Sequence, residues 1–209
     1  MGAIDFAGFH SADFPSVYPP DDDSYLLAKA VKNLAFGKVL DVGCGSGIQS
    51  IVAAKKRIVR GVTGVDVNLA AVECSQRNAE LNGVSQKCVF LKSDLFSKLE
   101  GMKFDTIIFN PPYLPTSKSE KIGGKLNLAF DGGADGRRAL DRFLKKFASH
   151  LGKKGILLLL SSSRASTGGF GDGNSETVGK LEKMGFGARI ISHENFFFER
   201  LAVVKAVRQ

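Results

Sequence analysis

Lys38-Val39-Leu40-Asp41-Val42-Gly43-Cys44-Gly45-Ser46-Gly47 decides how the rest of the chain is read. A buried-strand pattern, Lys38 to Val42, runs into a turn with three alternating glycines, and helical spacing begins directly after it at Ile48 and continues to Arg57. Glycines permit a tight turn and let a ligand approach the backbone, while the start of the helix presents free N–H groups. A dinucleotide fingerprint would carry glycine at position 48, where this chain has Ile48.

Working outward, the same alternation repeats. Val62 to Asp66 reads as a strand and Leu69 to Asn82 as a helix; Lys87 to Lys92 and Phe104 to Phe109 are further strands. Arg137 to Leu151 has helical spacing, with Leu140, Phe143, Leu144, Phe147 and Leu151 on one face. Ile156 to Leu160 is a fifth strand, and Glu176 to Met184 a helix stopped by Gly185. Ala188 to Phe197 and Leu201 to Val207 read as two strands joined by a tight turn near Glu199. Alternating β and α units imply an α/β fold: a mostly parallel seven-stranded sheet with helices on both faces and one antiparallel strand from the closing pair. Residues 1–209 are expected to form one domain, with 1–36 an N-terminal segment and helix and 37–209 the core. Two polar, glycine-rich stretches, Thr116 to Gly136 and Ser161 to Ser175, are expected to be mobile.

Composition narrows the classes. Hydrophobic residues make up 44% and charged residues 24% of the 209, as in a soluble globular protein. No apolar run approaches the ~20 residues that span a bilayer, and the N-terminus lacks the basic and apolar regions of a signal peptide. A cytoplasmic protein without membrane association is expected. Cys44, Cys74 and Cys88 are odd in number and widely spaced, so neither a disulfide framework nor a zinc site is expected. The three histidines are scattered, and no metal is expected. The formal charge of +8, gathered at Lys55 to Arg57, Lys118 to Lys125 and Arg137 to Lys146, suits RNA or simply a solvated surface.

Three strand ends then assemble a ligand site. Gly43, Gly45 and Gly47 supply the turn. Asp66 can accept both ribose hydroxyls of an adenosine, or can serve as a turn or cap residue before Leu69. Asp94 can accept from an adenine amino group with Leu95 donating its N–H, or can cap a loop. Together these describe an adenosine site at the carboxyl edge of the sheet, which serves NAD and S-adenosylmethionine alike.

Ile107-Ile108-Phe109-Asn110-Pro111-Pro112-Tyr113 separates the two. The prolines remove two donors and stiffen the turn. The Asn110 side-chain oxygen and the Pro111 carbonyl can then accept from one NH₂ group and turn its lone pair toward a methyl donor, with Tyr113 against the acceptor's flat face. Transfer would be direct and in-line, resting on positioning and electrostatics with no covalent nucleophile and no metal.

With the glycine turn, Asp66 and Asn110 to Tyr113 in place, the chain resembles the class I methyltransferases, and within them the HemK group, glutamine methyltransferases of peptide-chain release factors. Val17-Tyr18-Pro19-Pro20-Asp21-Asp22-Asp23-Ser24-Tyr25-Leu26-Leu27 is similar to the N-terminal segment of the compact archaeal and eukaryotic branch, with Asp22 where that branch usually has Glu. Ala129 to Arg137, followed by Asp141-Arg142-Phe143, resembles that branch as well. The resemblance implies a class I Rossmann-like fold, S-adenosylmethionine as cofactor, Ser24 and Asp41 against its methionine part, and a release factor as protein substrate. It also implies that a small zinc-binding activator subunit is a candidate partner. Asp41 has a second role open to it, accepting N–H bonds of its own loop. Nucleic-acid amino groups and, less well, lysine remain alternative acceptors; RNA stays a candidate partner on the charge.

Overall fold

The computed structural model describes residues 13–116, 127–168 and 171–209. Its first helix, α1 (Asp22–Leu34), starts at Asp21, whose carboxylate accepts from the Asp22 N–H. It buries Leu26, Leu27, Ala30 and Val31, the i, i+4 pattern of a helix laid on a core. Then follow β1 (Gly37–Val42), α2 (Ile48–Ala54), β2 (Val59–Asp66), α3 (Leu69–Leu81), β3 (Cys88–Lys92) and β4 (Phe104–Phe109). The second half holds α4 (Asn127–Phe130), α5 (Arg138–Leu144), α6 (Phe147–His150), β5 (Leu151–Ser162), α7 (Gly173–Lys183), β6 (Phe186–Phe196) and β7 (Glu199–Arg208).

The seven strands form one sheet in the order β3-β2-β1-β4-β5-β7-β6. β7 runs antiparallel to both neighbours, and the other ladders are parallel. Successive residues of the central strands feed opposite faces, as pleating demands. Ile108, Leu158, Leu160 and Val203 pack with α1 and α2 on one face. Ile107, Phe109, Leu157, Leu159 and Val204 pack with α5, α6 and α7 on the other. This is the class I methyltransferase, Rossmann-like arrangement. Among the described residues no helix is long and apolar enough to cross a membrane.

Several boundaries differ from expectation. The helix expected over Arg137 to Leu151 is two short helices, α5 and α6, and Leu151 already belongs to β5, paired with Phe104. The apolar spacing survives the break because Phe143 and Phe147 stay stacked, 5.4 Å between centroids, while the Lys146 N–H turns back to the Phe143 carbonyl. β5 therefore spans 12 residues, with its apolar run only the fully buried middle. The stretch Ser161 to Ser175 begins in β5 and ends in α7, which Asp172 caps through the Asn174 N–H, with 169–170 outside the described residues. The hairpin turn sits at Phe197–Phe198, with Phe196 paired to Glu199. Of Thr116 to Gly136, residues 117–126 lie outside the described residues, and so does the Lys118 to Lys125 cluster; 127–136 hold α4 and a turn.

Candidate functional site

The strand order reverses between β1 and β4, and the crevice this opens lies at the carboxyl ends of the strands. The glycine turn follows β1 and the Asn110 turn follows β4. These two strands are adjacent, with Asp41 paired to Ile108 and Val42 to Phe109. Between the turns lies a cavity of about 520 Å³. Gly43, Gly45, Asp66, Asp94 and Leu95 line one part of it; Ser24, Asn110, Pro111, Pro112 and Tyr113 line another. Asp41 and Gly47 stand outside the lining.

In the first part, the Asp66 carboxylate accepts the Gly45 N–H at 3.0 Å and the Asn68 N–H at 2.8 Å. It does not cap α3; Asn68 does, through the Ala70 N–H. Burial raises the Asp66 carboxyl above its ordinary range, opposed by those backbone donors. Leu95 is the one described non-glycine residue with positive φ, at 50°, a conformation costing about 1–2 kcal/mol. The Ser93 hydroxyl donates to its carbonyl. The Asp94 carboxylate is half-exposed and paired with Arg142 at 2.7 Å. Asp41 is buried, and its carboxylate accepts both the N–H and the hydroxyl of Ser50, at 3.0 and 2.6 Å. It thus ties the end of β1 to the first turn of α2, and burial pushes its carboxyl up to about 7. Gly47 begins α2 with φ 85°, and a Cβ there would meet Ser75 at 3.0–3.1 Å. Its place in the motif is a packing requirement between α2 and α3.

The second part is organised by a residue that motif reading passed over. Asp23, in the first turn of α1, is 5% exposed. One of its oxygens accepts the Asn110 side-chain N–H at 3.0 Å and the Tyr113 hydroxyl at 3.4 Å. The other accepts from Tyr18 at 3.4 Å and from the Ser24 hydroxyl at 3.0 Å. A carboxylate only accepts, so this contact turns the amide nitrogen of Asn110 toward Asp23 and leaves Oδ1 at the opposite end. That oxygen is buried without a hydrogen-bond partner among the described residues. Burial and the nearby carboxylates Asp23 and Glu199 drive the Tyr113 hydroxyl well above its usual range, so it stays neutral and can donate. Gly136 carries the following turn across this loop: its φ is 73° and a Cβ would lie 2.3 Å from the Tyr113 carbonyl oxygen. Tyr18, Phe130 and Glu199 also line the cavity, with Tyr18 and Phe130 edge to face at 5.0 Å. Of these residues, Tyr18 and Asp23 carried a readable signal in the Val17 to Leu27 segment; Glu199 carried none.

The donor and acceptor set suits an adenosyl amino acid. A carboxylate stands at one end for a diol, bare glycine backbone in the middle, and an unpartnered amide oxygen beside a proline carbonyl at the other. Among the described residues no group of His, Cys, Asp or Glu could hold a metal ion.

Comparison with known proteins gives the same direction. Residues 13–126 match the family model described as methyltransferase small domain. A protein of Methanocaldococcus jannaschii, provisionally named a protein N5-glutamine methyltransferase, is 43% identical over 205 residues, covering 98% of each chain. The release factor glutamine methyltransferase of Geobacter sulfurreducens is 30% identical over 89% of this chain, which spans 64% of that longer protein. Among solved structures, the E. cuniculi Mtq2-Trm112 complex, described as methylating the translation termination factor eRF1, has a chain that superposes with a TM-score of 0.69 at 24% identity. The match covers 93% of this chain and 99% of that one, and shows a shared fold.

Proposed function

The chain belongs to the methyltransferase small domain family and, within it, to the protein N5-glutamine methyltransferases, and from that premise we propose that it methylates the side-chain amide of a glutamine in a peptide-chain release factor. The observation that carries this is the Asn110 amide: Asp23 holds its nitrogen, and its oxygen is buried without a partner beside Pro111. A buried acceptor left unpaired costs about 1–3 kcal/mol, so the site favours a ligand that brings an N–H.

S-adenosylmethionine, when bound, supplies an electrophilic methyl group on a sulfonium. Asp66 would accept its ribose hydroxyls, Asp94 and Leu95 would hold its adenine, and the bare backbone of Gly43 and Gly45 would let it approach. Ser24 and Asp41 stand on the side of its methionine part, Asp41 acting from beneath by holding the turn to α2. Asn110 Oδ1 and the Pro111 carbonyl accept from the two hydrogens of the acceptor NH₂. Held this way, the nitrogen's lone pair leaves conjugation with the amide carbonyl and faces the methyl donor. The Tyr113 ring lies along the flat amide, and its hydroxyl is fastened to Asp23. Pro112 stiffens the turn that keeps these groups in register.

The same proposal places the protein in the cytoplasm with its substrate, as one domain over residues 1–209, and adds a small zinc-binding activator subunit. An open sheet edge supports such a partner: β3 is the outermost strand, and Val89 and Leu91 are exposed on it. The decisive test offers methyl-labelled S-adenosylmethionine with a release factor, total RNA and histones in parallel, with and without the activator, and locates the label by mass spectrometry. Label on a release-factor glutamine is the expected result. Label confined to RNA or to lysine would overturn the proposal.

A further inference from the structure

The hairpin joining β6 and β7 ends in Phe197 and Phe198, which are 92% and 81% exposed, the most exposed large apolar side chains among the described residues. Turn geometry does not ask for them. Two-residue hairpin loops favour glycine or asparagine at positive φ, and neither phenylalanine has positive φ. Nor does the core: the two rings touch each other edge to face at 4.4 Å. The strands below them are pinned. Glu194 pairs with Lys29 of α1, Arg200 pairs with Asp172, and the Arg200 carbonyl accepts from Ser163 and from the Asn174 side chain. A fixed base therefore presents two unsupported aromatic rings.

Topology puts these rings at the mouth of the site. β7 is antiparallel to β5, so the hairpin turn stands at the carboxyl edge of the sheet, where the glycine and Asn110 turns also lie. Ser162, the last residue of β5, pairs with Leu201. The tip thus projects three residues farther, roughly 10 Å at strand spacing. Glu199, bonded directly to Phe198, lines the cavity and accepts from the Ser162 hydroxyl. The cavity, at about 520 Å³, has room for a nucleoside cofactor and one acceptor side chain. The polypeptide that carries the acceptor therefore stays outside the cavity, at the rim on which this hairpin stands.

We propose that Phe197 and Phe198 form a docking knob that inserts into an apolar recess on the folded protein carrying the acceptor glutamine. The proposal rests on the glutamine activity above. Phenylalanine, like the other aromatic side chains, carries a large apolar area and is enriched at interfaces, where a partner desolvates it. The knob would supply binding energy away from the reacting atoms, which lowers KM for the whole protein and leaves the chemical step alone.

The test compares the wild-type chain with Phe197→Ser/Phe198→Ser and with Phe197→Leu/Phe198→Leu, on a whole release factor and on a short peptide spanning its methylated glutamine. The serine variant should raise KM for the whole factor about tenfold or more. Its kcat, its affinity for S-adenosylmethionine and its thermal midpoint should stay within error, and the peptide's KM should not change. The leucine variant should recover most of the loss. Wild-type turnover on the factor with an unchanged KM in the serine variant overturns the knob alone. A wild type that, with the activator present, methylates neither factor nor peptide overturns the activity on which the knob rests. A dimer in light scattering that the serine variant dissolves, or binding to phosphatidylglycerol vesicles that it abolishes, reassigns the rings and also overturns the proposal.

Discussion

In the proposed mechanism the chemistry turns on the orientation of the Asn110 amide. Asp23 selects it by accepting from the Asn110 nitrogen, so Asp23→Asn, which can donate as well as accept, should let that amide adopt either orientation. We expect kcat to fall about 10²-fold while affinity for S-adenosylmethionine by calorimetry stays nearly unchanged. Asn110→Ala removes the acceptor itself and should cost about 10³-fold or more, again with cofactor binding retained. Equal loss of binding and turnover in either variant would contradict these roles. Asp41 yields a prediction in pH. Burial raises its carboxyl from 3.8 to about 7, so the native state holds a proton that the unfolded chain releases between those values. The stabilisation is complete below about 4 and is lost as pH rises through about 7. Asp41→Asn should flatten that limb of the thermal midpoint against pH. Asp66, raised by burial and needed ionised to accept ribose hydroxyls, should make cofactor affinity fall on acidification, beginning at higher pH than for an ordinary carboxylate.

Among the elements, the turn between β1 and α2 carries a close constraint from α3. Gly47 adopts φ 85° and lies against the Ser75 backbone, so both conformation and space exclude a side chain. Gly47→Ala should cost about 2 kcal/mol, roughly 4–8 °C in melting temperature for a chain of this size. A thermal melt without cofactor measures it. The segment from Arg137 to Leu151 shows what periodicity cannot resolve. A helix, a two-residue break and a second helix keep the same apolar face, because Phe143 and Phe147 remain stacked across the break. Leu151 fits that face by spacing, yet its backbone pairs with Phe104 in the sheet. A strand's claim on a residue comes from its ladder partner, which lies elsewhere in the chain.

Across the whole molecule, one buried cation joins the second half to the Asn110 to Tyr113 turn. Arg137 has no exposed side-chain surface. It bonds the Ala165 carbonyl and Thr177, and pairs with Asp141 and Glu176. It thereby links the turn that crosses Tyr113, the loop after β5 and helix α7. Against the burial that raises it, hydrogen bonds from Thr167, then Lys180 and the Arg137 charge, hold the Glu176 carboxyl down at about 2. Arg137→Ala would remove the buried bonds to the Ala165 carbonyl and Thr177 and leave a cavity, and should destabilise the protein by about 2–5 kcal/mol, measured by denaturant unfolding. The same network changes how the basic composition is read. Arg137 is internal and Arg142 is paired with Asp94, so the Arg137 to Lys146 cluster is only in part a free basic surface.

The strand–turn–helix unit at Lys38 to Arg57, the alternation that makes an α/β sheet, and the Asn110 to Tyr113 turn were legible because each is set by residues adjacent in sequence. Backbone freedom at glycine, the stiffness of proline and the period of apolar side chains are local properties. The role of Asp23 was not legible in this way. Asp21, Asp22 and Asp23 are three identical carboxylates, and the phase of α1 makes one a cap, leaves one exposed and buries the third against Asn110, 87 residues away. Likewise Glu199 reaches the cavity, and Phe197 and Phe198 its rim, because an antiparallel β7 returns to the edge where β1 and β4 end. Sequence alone determined the kind of fold and the kind of chemistry; the tertiary structure decided which carboxylate orients the Asn110 amide and which residues stand at the rim of the cavity, because those depend on distances between segments that no local pattern encodes.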